Sequence, residues 1–269
     1  MYDHPKVLGV PGRGLSGNLW QPCPISRLRE DPAAGLFYFD DFVDVPVAPY
    51  NTTISFQGRY RVATSNNNGT SITDGASPTG VMRIDLAAAD GTGVVVGAGG
   101  GMARFNPAQL ESVFFEARFQ VSTVADDRSN VFLGLCAGPV SLSNPWGGKD
   151  SLASSNMVGI ARRTATGKGN KLALAYKKYN QIGQFVDLEN FTLAADTWVT
   201  AGFAFMPRRQ RMDLYVNNVR TQSLPWDSVL ADTWPSGDIG LCPVIAVRNG
   251  SANANSVLVD WIAAAYSLL

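Results

Sequence analysis

Asp187 and Glu189 are the side chains best spaced for acid–base chemistry. Two residues apart on an extended strand they share one face, and paired carboxylates serve glycoside hydrolysis as acid and nucleophile. On a solvent face the same pair is ordinary surface, and that reading is the stronger one. Asp126-Asp127 with Asn130 offers oxygens of the kind calcium takes, although a polar turn accounts for them equally well. Gly12-Arg13-Gly14-Leu15-Ser16-Gly17 spells the glycine string of dinucleotide sites. That site needs a strand before the string and a helix opening within it, whereas here Pro11 precedes and Pro22 and Pro24 follow. Gly167-Lys168-Gly169-Asn170-Lys171 lacks the spacing and hydroxyl of a phosphate loop. His4 is the single histidine, far from any scaffolded partner, so Ser-His-Asp and Cys-His catalysis drop out. No catalytic residue, cofactor site or metal site is assigned.

Trp146, Trp226 and Trp234 fall in loop-like stretches beside Asn, Ser, Asp and Gly. Such aromatics stack on sugar rings, or anchor loops and subunit contacts, and packing is the favoured of the two. Arg208, Arg209 and Arg211 gather at a turn, where they are a solvated cluster or a salt-bridging contact with an acidic neighbour.

Composition narrows the classes further. The chain has 269 residues, 45% of them hydrophobic, only 16% charged, and a formal net charge of zero. Nucleic-acid binding needs clustered Lys and Arg, and nothing here supplies it. No apolar run approaches the roughly 20 residues of a membrane helix. No signal peptide is read at the N-terminus. The sequons at Asn51, Asn68, Asn190 and Asn249 read as chance. Cys23, Cys136 and Cys242 are odd in number and lack metal-site spacing. Cys136 and Cys242 sit in apolar runs, so buried free thiols in a reducing compartment are expected.

The elements that would position these groups are strands. In Val113–Val121, residues Val113, Phe115, Ala117, Phe119 and Val121 take one face, while Glu116, Arg118 and Gln120 are expected to face water. Similar runs are expected at Leu36–Phe42, Ile54–Val62, Val81–Leu86, Gly93–Gly97, Asn130–Ala137, Met157–Arg163, Leu172–Tyr179, Gln184–Leu188, Ile239–Val247 and Val257–Tyr266. Ser65–Gly80 and Gly138–Ser155 read as loops. Between Thr197 and Ser223 two alternating runs surround Asn217-Asn218, a pair that tolerates positive φ and suits a two-residue hairpin loop. In the last run Val257, Val259, Trp261, Ala263 and Ala265 would share a face, with a short helix as the competing reading. The fold class is therefore an all-β, two-sheet antiparallel β-sandwich over residues 36–269. Residues 1–35 alternate prolines with glycines and form no regular element, yet carry Leu19 and Trp20. They read as an extended arm lying on something apolar.

The runs Leu36–Phe42, Glu116-Ala117-Arg118-Phe119, Arg211–Asn218 and Val257–Tyr266 together resemble the concanavalin-like (laminin-G-type) jelly roll, whose first and last strands lie side by side. Sandwich and irregular arm together resemble tailed-bacteriophage capsid decoration (cement) proteins. That resemblance implies a non-enzymatic virion protein, made in the host cytoplasm, bound on the capsid surface to the major capsid protein and to copies of itself, with a homotrimer favoured. The arm would carry the contact through Arg13, Leu19, Trp20, Arg27 and Arg29, so its deletion should leave a folded sandwich. The alternative is a carbohydrate-binding module of a tail fibre or other surface protein, with Trp146, Trp226 and Trp234 as the glycan platform. A glycan hydrolase or lyase comes third.

Overall fold

The computed structural model describes residues 14–46, 54–57, 60–65, 70–75, 80–98, 111–137, 146–148, 150–225, 233–235 and 240–268. Among them two short helices, α1 (Gly17–Trp20) and α2 (Ile25–Glu30), precede the strands. These run β1 (Gly35–Asp40), β2 (Ile54–Gln57), β3 (Tyr60–Ser65), β4 (Ser71–Asp74), β5 (Met82–Leu86) and β6 (Gly93–Ala98). Then come β7 (Ser112–Val121), β8 (Ser129–Ala137), β9 (Trp146–Gly148), β10 (Ser151–Leu152), β11 (Met157–Arg162), β12 (Ala173–Lys177) and β13 (Gln184–Asp187). The last are β14 (Val199–Met206), β15 (Arg211–Val216), β16 (Val219–Pro225), β17 (Leu241–Asn249) and β18 (Asn255–Ser267). No helix among the described residues is long and apolar enough to cross a membrane.

Sixteen of these strands form two antiparallel eight-stranded sheets, and β9 and β10 pair with each other alone. The first has the order β16-β15-β14-β7-β18-β5-β4, with β1 also on β18; the second runs β13-β12-β11-β8-β17-β6-β3-β2. The chain crosses between sheets from β5 to β6, β7 to β8 and β17 to β18, which buries one face of each sheet against the other. β1 lies antiparallel to β18 with Leu36 opposite Tyr266, the pairing of first and last strands expected from the sequence. The expected run Ile54–Val62 is instead two antiparallel strands, with Gln57 opposite Tyr60 and Gly58-Arg59 between them in the sequence. Both stretches read as loops contain short strands, β4 in one and β9 and β10 in the other.

Inward-facing side chains fill the central core, among them Phe115, Phe119, Phe203, Phe205, Leu133, Ile160 and Trp234. The outer faces are apolar too. On the second sheet Phe132, Met157, Trp146, Cys136 and Cys242 form a further cluster. On the first sheet Phe114, Ala204, Met206, Tyr215, Trp261, Ala263 and Ala265 are covered by Leu19, Trp20, Cys23 and Leu28 of the N-terminal segment. Glu116, expected in water, is therefore only 1% exposed.

A bulge decides the two faces of β18. The register slips between Val259 and Trp261, so Val257, Val259, Ile262 and Ala264 face the central core while Trp261, Ala263 and Ala265 lie outside beneath the helices. Unbroken alternation would set all five alternate residues from Val257 to Ala265 on one face. One extra residue, Asp260, reverses the alternation.

Residues 14–34 are not extended. They turn through α1, α2 and a 3-10 turn at Pro32–Ala34, whose entry is held by the Asp31 side chain accepting from the Ala33 N–H. The prolines sit at helix starts and between helices, where a missing N–H costs little. Gly202 permits the docking of α1, since a Cβ there would fall 2.9 Å from Leu19 Cδ1 and 2.2 Å from the Phe115 carbonyl oxygen.

Candidate functional site

The outer face of the first sheet carries two cavities, where α1 meets β14, β15 and the β15–β16 hairpin. That hairpin turns at Asn217 and Asn218, whose φ values of 48° and 66° are the left-handed pair a two-residue loop requires. Both asparagines then act on their neighbours. Asn217 Oδ1 accepts from the Thr200 N–H at 3.0 Å. The Asn18 N–H donates to Asn218 Oδ1 at 2.8 Å, and Asn18 Nδ2 to the Asn218 carbonyl at 2.6 Å. The hairpin tip is thus tied to α1.

Beside this tie lies a cavity of about 410 Å³ lined by Gly14, Ser16, Arg118, Trp198, Thr200, Asn217 and Asn218, with Leu15 and Gly17. Its size is within the range of roughly 300–1,000 Å³ typical of ligand sites. Four of the five described tryptophans are at most 5% exposed: Trp20, Trp146, Trp234 and Trp261. Trp198 is only partly buried. The Arg118 guanidinium lies 4.5 Å from the centre of its ring and donates to the buried Asp260 carboxylate in the bulge of β18. The cavity thus offers an aromatic surface, a fixed cation, amides and two hydroxyls, with no carboxylate among its described lining residues. Trp198 was missed in the sequence because it stands just before a strand. Its signal was there: with Val199, Ala201 and Phe203 inward, Trp198 and Thr200 must face out, and Thr200 pairs with Arg118 across β7 and β14.

A buried carboxylate locks α1 down next to this cavity. Glu116 Oε2 accepts from Trp20 Nε1 at 2.7 Å and from the Ser16 N–H at 3.0 Å. Burial raises the Glu116 pKa above its ordinary 4.5, outweighing the opposing bonds from Ser16 and Trp20. A second cavity, of about 580 Å³, also borders α1 and is lined by Asn18, Gln21, Pro22, Met206, Arg209, Arg211, Asp213, Tyr215 and Arg220.

The residues singled out in the sequence are placed elsewhere. Leu19 is 0% and Trp20 5% exposed beneath the N-terminal segment, so neither is offered to a neighbour as the arm reading required. Arg27 and Arg29 are exposed, Arg27 3.9 Å from Asp31 and Arg29 over the Phe37 ring. Arg13, His4 and Trp226 lie outside the described residues. Trp146 is 3% exposed and stacks on Phe185, while Trp234 is 1% exposed between Tyr176 and Phe205 in the central core. Those two are packing groups, not a platform.

Asp187 pairs with Arg163 and Lys168, which hold its carboxyl below the usual range against the raising effect of burial, and Glu189 is exposed. A carboxylate so clamped is a poor proton donor. Asp126 accepts from the N–H groups of Gly167 and Gly169, and Asn130 Oδ1 from that of Thr164, so these oxygens brace loops. No cluster of three or more metal-ligating side chains occurs among the described residues. Gly14–Gly17, the end of the glycine string, leads into the four-residue α1 rather than a dinucleotide-binding helix. All three cysteines are free and buried, as expected for Cys136 and Cys242.

No family model and no curated protein matches the sequence. Solved structures do match. One is a protein of unknown function from Shewanella oneidensis MR-1, with a TM-score of 0.54, 13% identity and coverage of 87% of each chain. Another is the potassium-bound carbohydrate recognition domain of Emp46p, with a TM-score of 0.51 and 10% identity over 81% of this chain and 95% of that one. The fold is a concanavalin-like jelly roll. The same jelly roll appears in a structure from work on endo-acting O-glycanases of human gut microbiota, with a TM-score of 0.52 and 11% identity over 84% of this chain and 97% of that one. These comparisons show the jelly roll and not the likeness to capsid decoration proteins.

Proposed function

We propose that this jelly roll is a carbohydrate-binding module that holds its ligand without cleaving it. The observation that carries the reading is Trp198, the one described tryptophan that is not buried, set in a cavity with Asn217, Asn218, Thr200 and Arg118. An indole face stacks on the apolar face of a sugar, and amides and hydroxyls satisfy the ring's polar edge. Two of the matched structures bear carbohydrate names, which supports the same reading at the level of fold. Binding rather than hydrolysis is favoured because, among the described residues, no carboxylate lines the cavity, and Asp187 is held ionised by two cations.

Titration against a panel of immobilised glycans tests it. The intact protein retains at least one glycan and its tryptophan emission changes on binding. Trp198→Ala weakens that binding tenfold or more while melting normally. Equal retention by Trp198→Ala would remove this cavity from the function, and no retention by the intact protein would remove the function.

A further inference from the structure

The larger cavity borders α1 through Asn18, and among the described residues its lining holds three guanidinium groups, Arg209, Arg211 and Arg220, against one carboxylate, Asp213. Asp213 is 0% exposed and cannot neutralise all three; the lining keeps a surplus of two positive charges. Asp213 instead positions two of them, Arg211 and Arg220. Arg211 Nη2 lies 3.0 Å and Arg220 Nη1 3.8 Å from its Oδ2, and Ser223 Oγ donates to Oδ1. Arg211 and Arg220 come from the paired strands β15 and β16, while Arg209 comes from the 3-10 turn Pro207–Arg209. A planar guanidinium presents a donor fork that matches carboxylate and sulfate oxygens, and one held in place by a buried acid loses less entropy on binding.

The cavity adjoins the Trp198 site. Asn18 lines one and Asn218 the other, and the two residues are hydrogen-bonded to each other. From Asn218 to Arg220 is two residues of extended chain, roughly 7 Å. One oligosaccharide spans that distance. We propose that this second cavity binds the acidic group of a carboxylated or sulfated glycan whose neighbouring sugar rests on Trp198. The inference rests on the carbohydrate-binding reading above and names the class of glycan.

Calorimetry at fixed ionic strength with tetragalacturonate, its fully methyl-esterified form, a heparin tetrasaccharide and sodium sulfate tests it, on the intact protein, on Arg209→Gln/Arg220→Gln and on Trp198→Ala. The expected result is at least tenfold tighter binding of an acidic oligosaccharide, the uronate over its ester or the heparin fragment over both. Arg209→Gln/Arg220→Gln abolishes that preference, and Trp198→Ala weakens every oligosaccharide alike. Equal affinity for uronate, ester and heparin fragment, still dependent on Trp198, overturns the acidic-glycan assignment and leaves the carbohydrate reading standing. Arginine-dependent binding of sulfate alone, with no oligosaccharide bound, overturns both glycan statements and leaves a simple anion site. No binding of any probe overturns the proposal. Circular dichroism of each variant separates loss of the site from loss of the fold.

Discussion

Arg118 joins the surface of the protein to its bulge: its guanidinium carbon lies 4.5 Å from the centre of the Trp198 ring, and its Nη1 donates to the Asp260 carboxylate, which is 0% exposed. The ion pair crosses from β7 to β18 where the alternation of β18 reverses. Asp260 therefore has two consequences, setting the face of every residue of β18 after it and fixing the cation against the half-buried Trp198.

Removing one partner of this pair leaves a buried charge uncompensated. Arg118→Leu is expected to lower unfolding stability by about 3–5 kcal/mol, with Asp260→Ala close behind. Urea denaturation measures the loss. The charge-free pair Arg118→Leu/Asp260→Leu should recover much of it, and a double variant as unstable as the sum of the singles would show that the pair is not the cause.

Glu116 makes stability depend on pH. Its folded pKa is raised above 4.5, so below that value folded and unfolded states are both protonated and its full contribution is present. As pH rises the unfolded carboxyl ionises first, and stability falls until the pH passes the raised folded value. Glu116→Gln keeps an oxygen for the Trp20 and Ser16 donors and removes the titration. The variant should melt higher than the parent at pH 8 and match it near pH 4; a gap independent of pH would mean that Glu116 ionises as freely in the fold as outside it.

Trp20→Ala should destabilise the free protein by about 3–5 kcal/mol, because the indole is 5% exposed against Phe37 and Phe114 and donates to Glu116. Deleting residues 1–34 would bare Phe114, Met206, Trp261 and Ala263, so aggregation is the expected outcome. This reverses the expectation of an intact armless sandwich. A soluble, cooperatively melting truncation would restore it.

Phe115 and Phe203 are cross-strand partners whose ring centres lie 5.9 Å apart in the central core, each 0% exposed. Either changed to alanine should cost about 3–5 kcal/mol. A double-mutant cycle should return a coupling of about 0.5–1.5 kcal/mol, since the rings stack on each other. Strictly additive losses would place them in separate packing environments.

Alternation by itself determined the sandwich. The large apolar side chains at every second position of Val113–Val121 and Val199–Phe205 face the core as read, β1 pairs with β18, and Asn217-Asn218 turns the hairpin. These are local signals, written in residues two apart or side by side. What covers the opposite face is not local. Glu116 and Trp20 are 96 positions apart, as Arg118 and Asp260 are 142, and neither residue type announces its partner. Only the tertiary structure folds residues 14–34 back onto the first sheet, buries Trp146 and Trp234, and leaves Trp198 at the surface. Periodicity reports that a strand has two faces. Which face meets water depends on what remote chain arrives to cover it, and the candidate site lies where that cover stops.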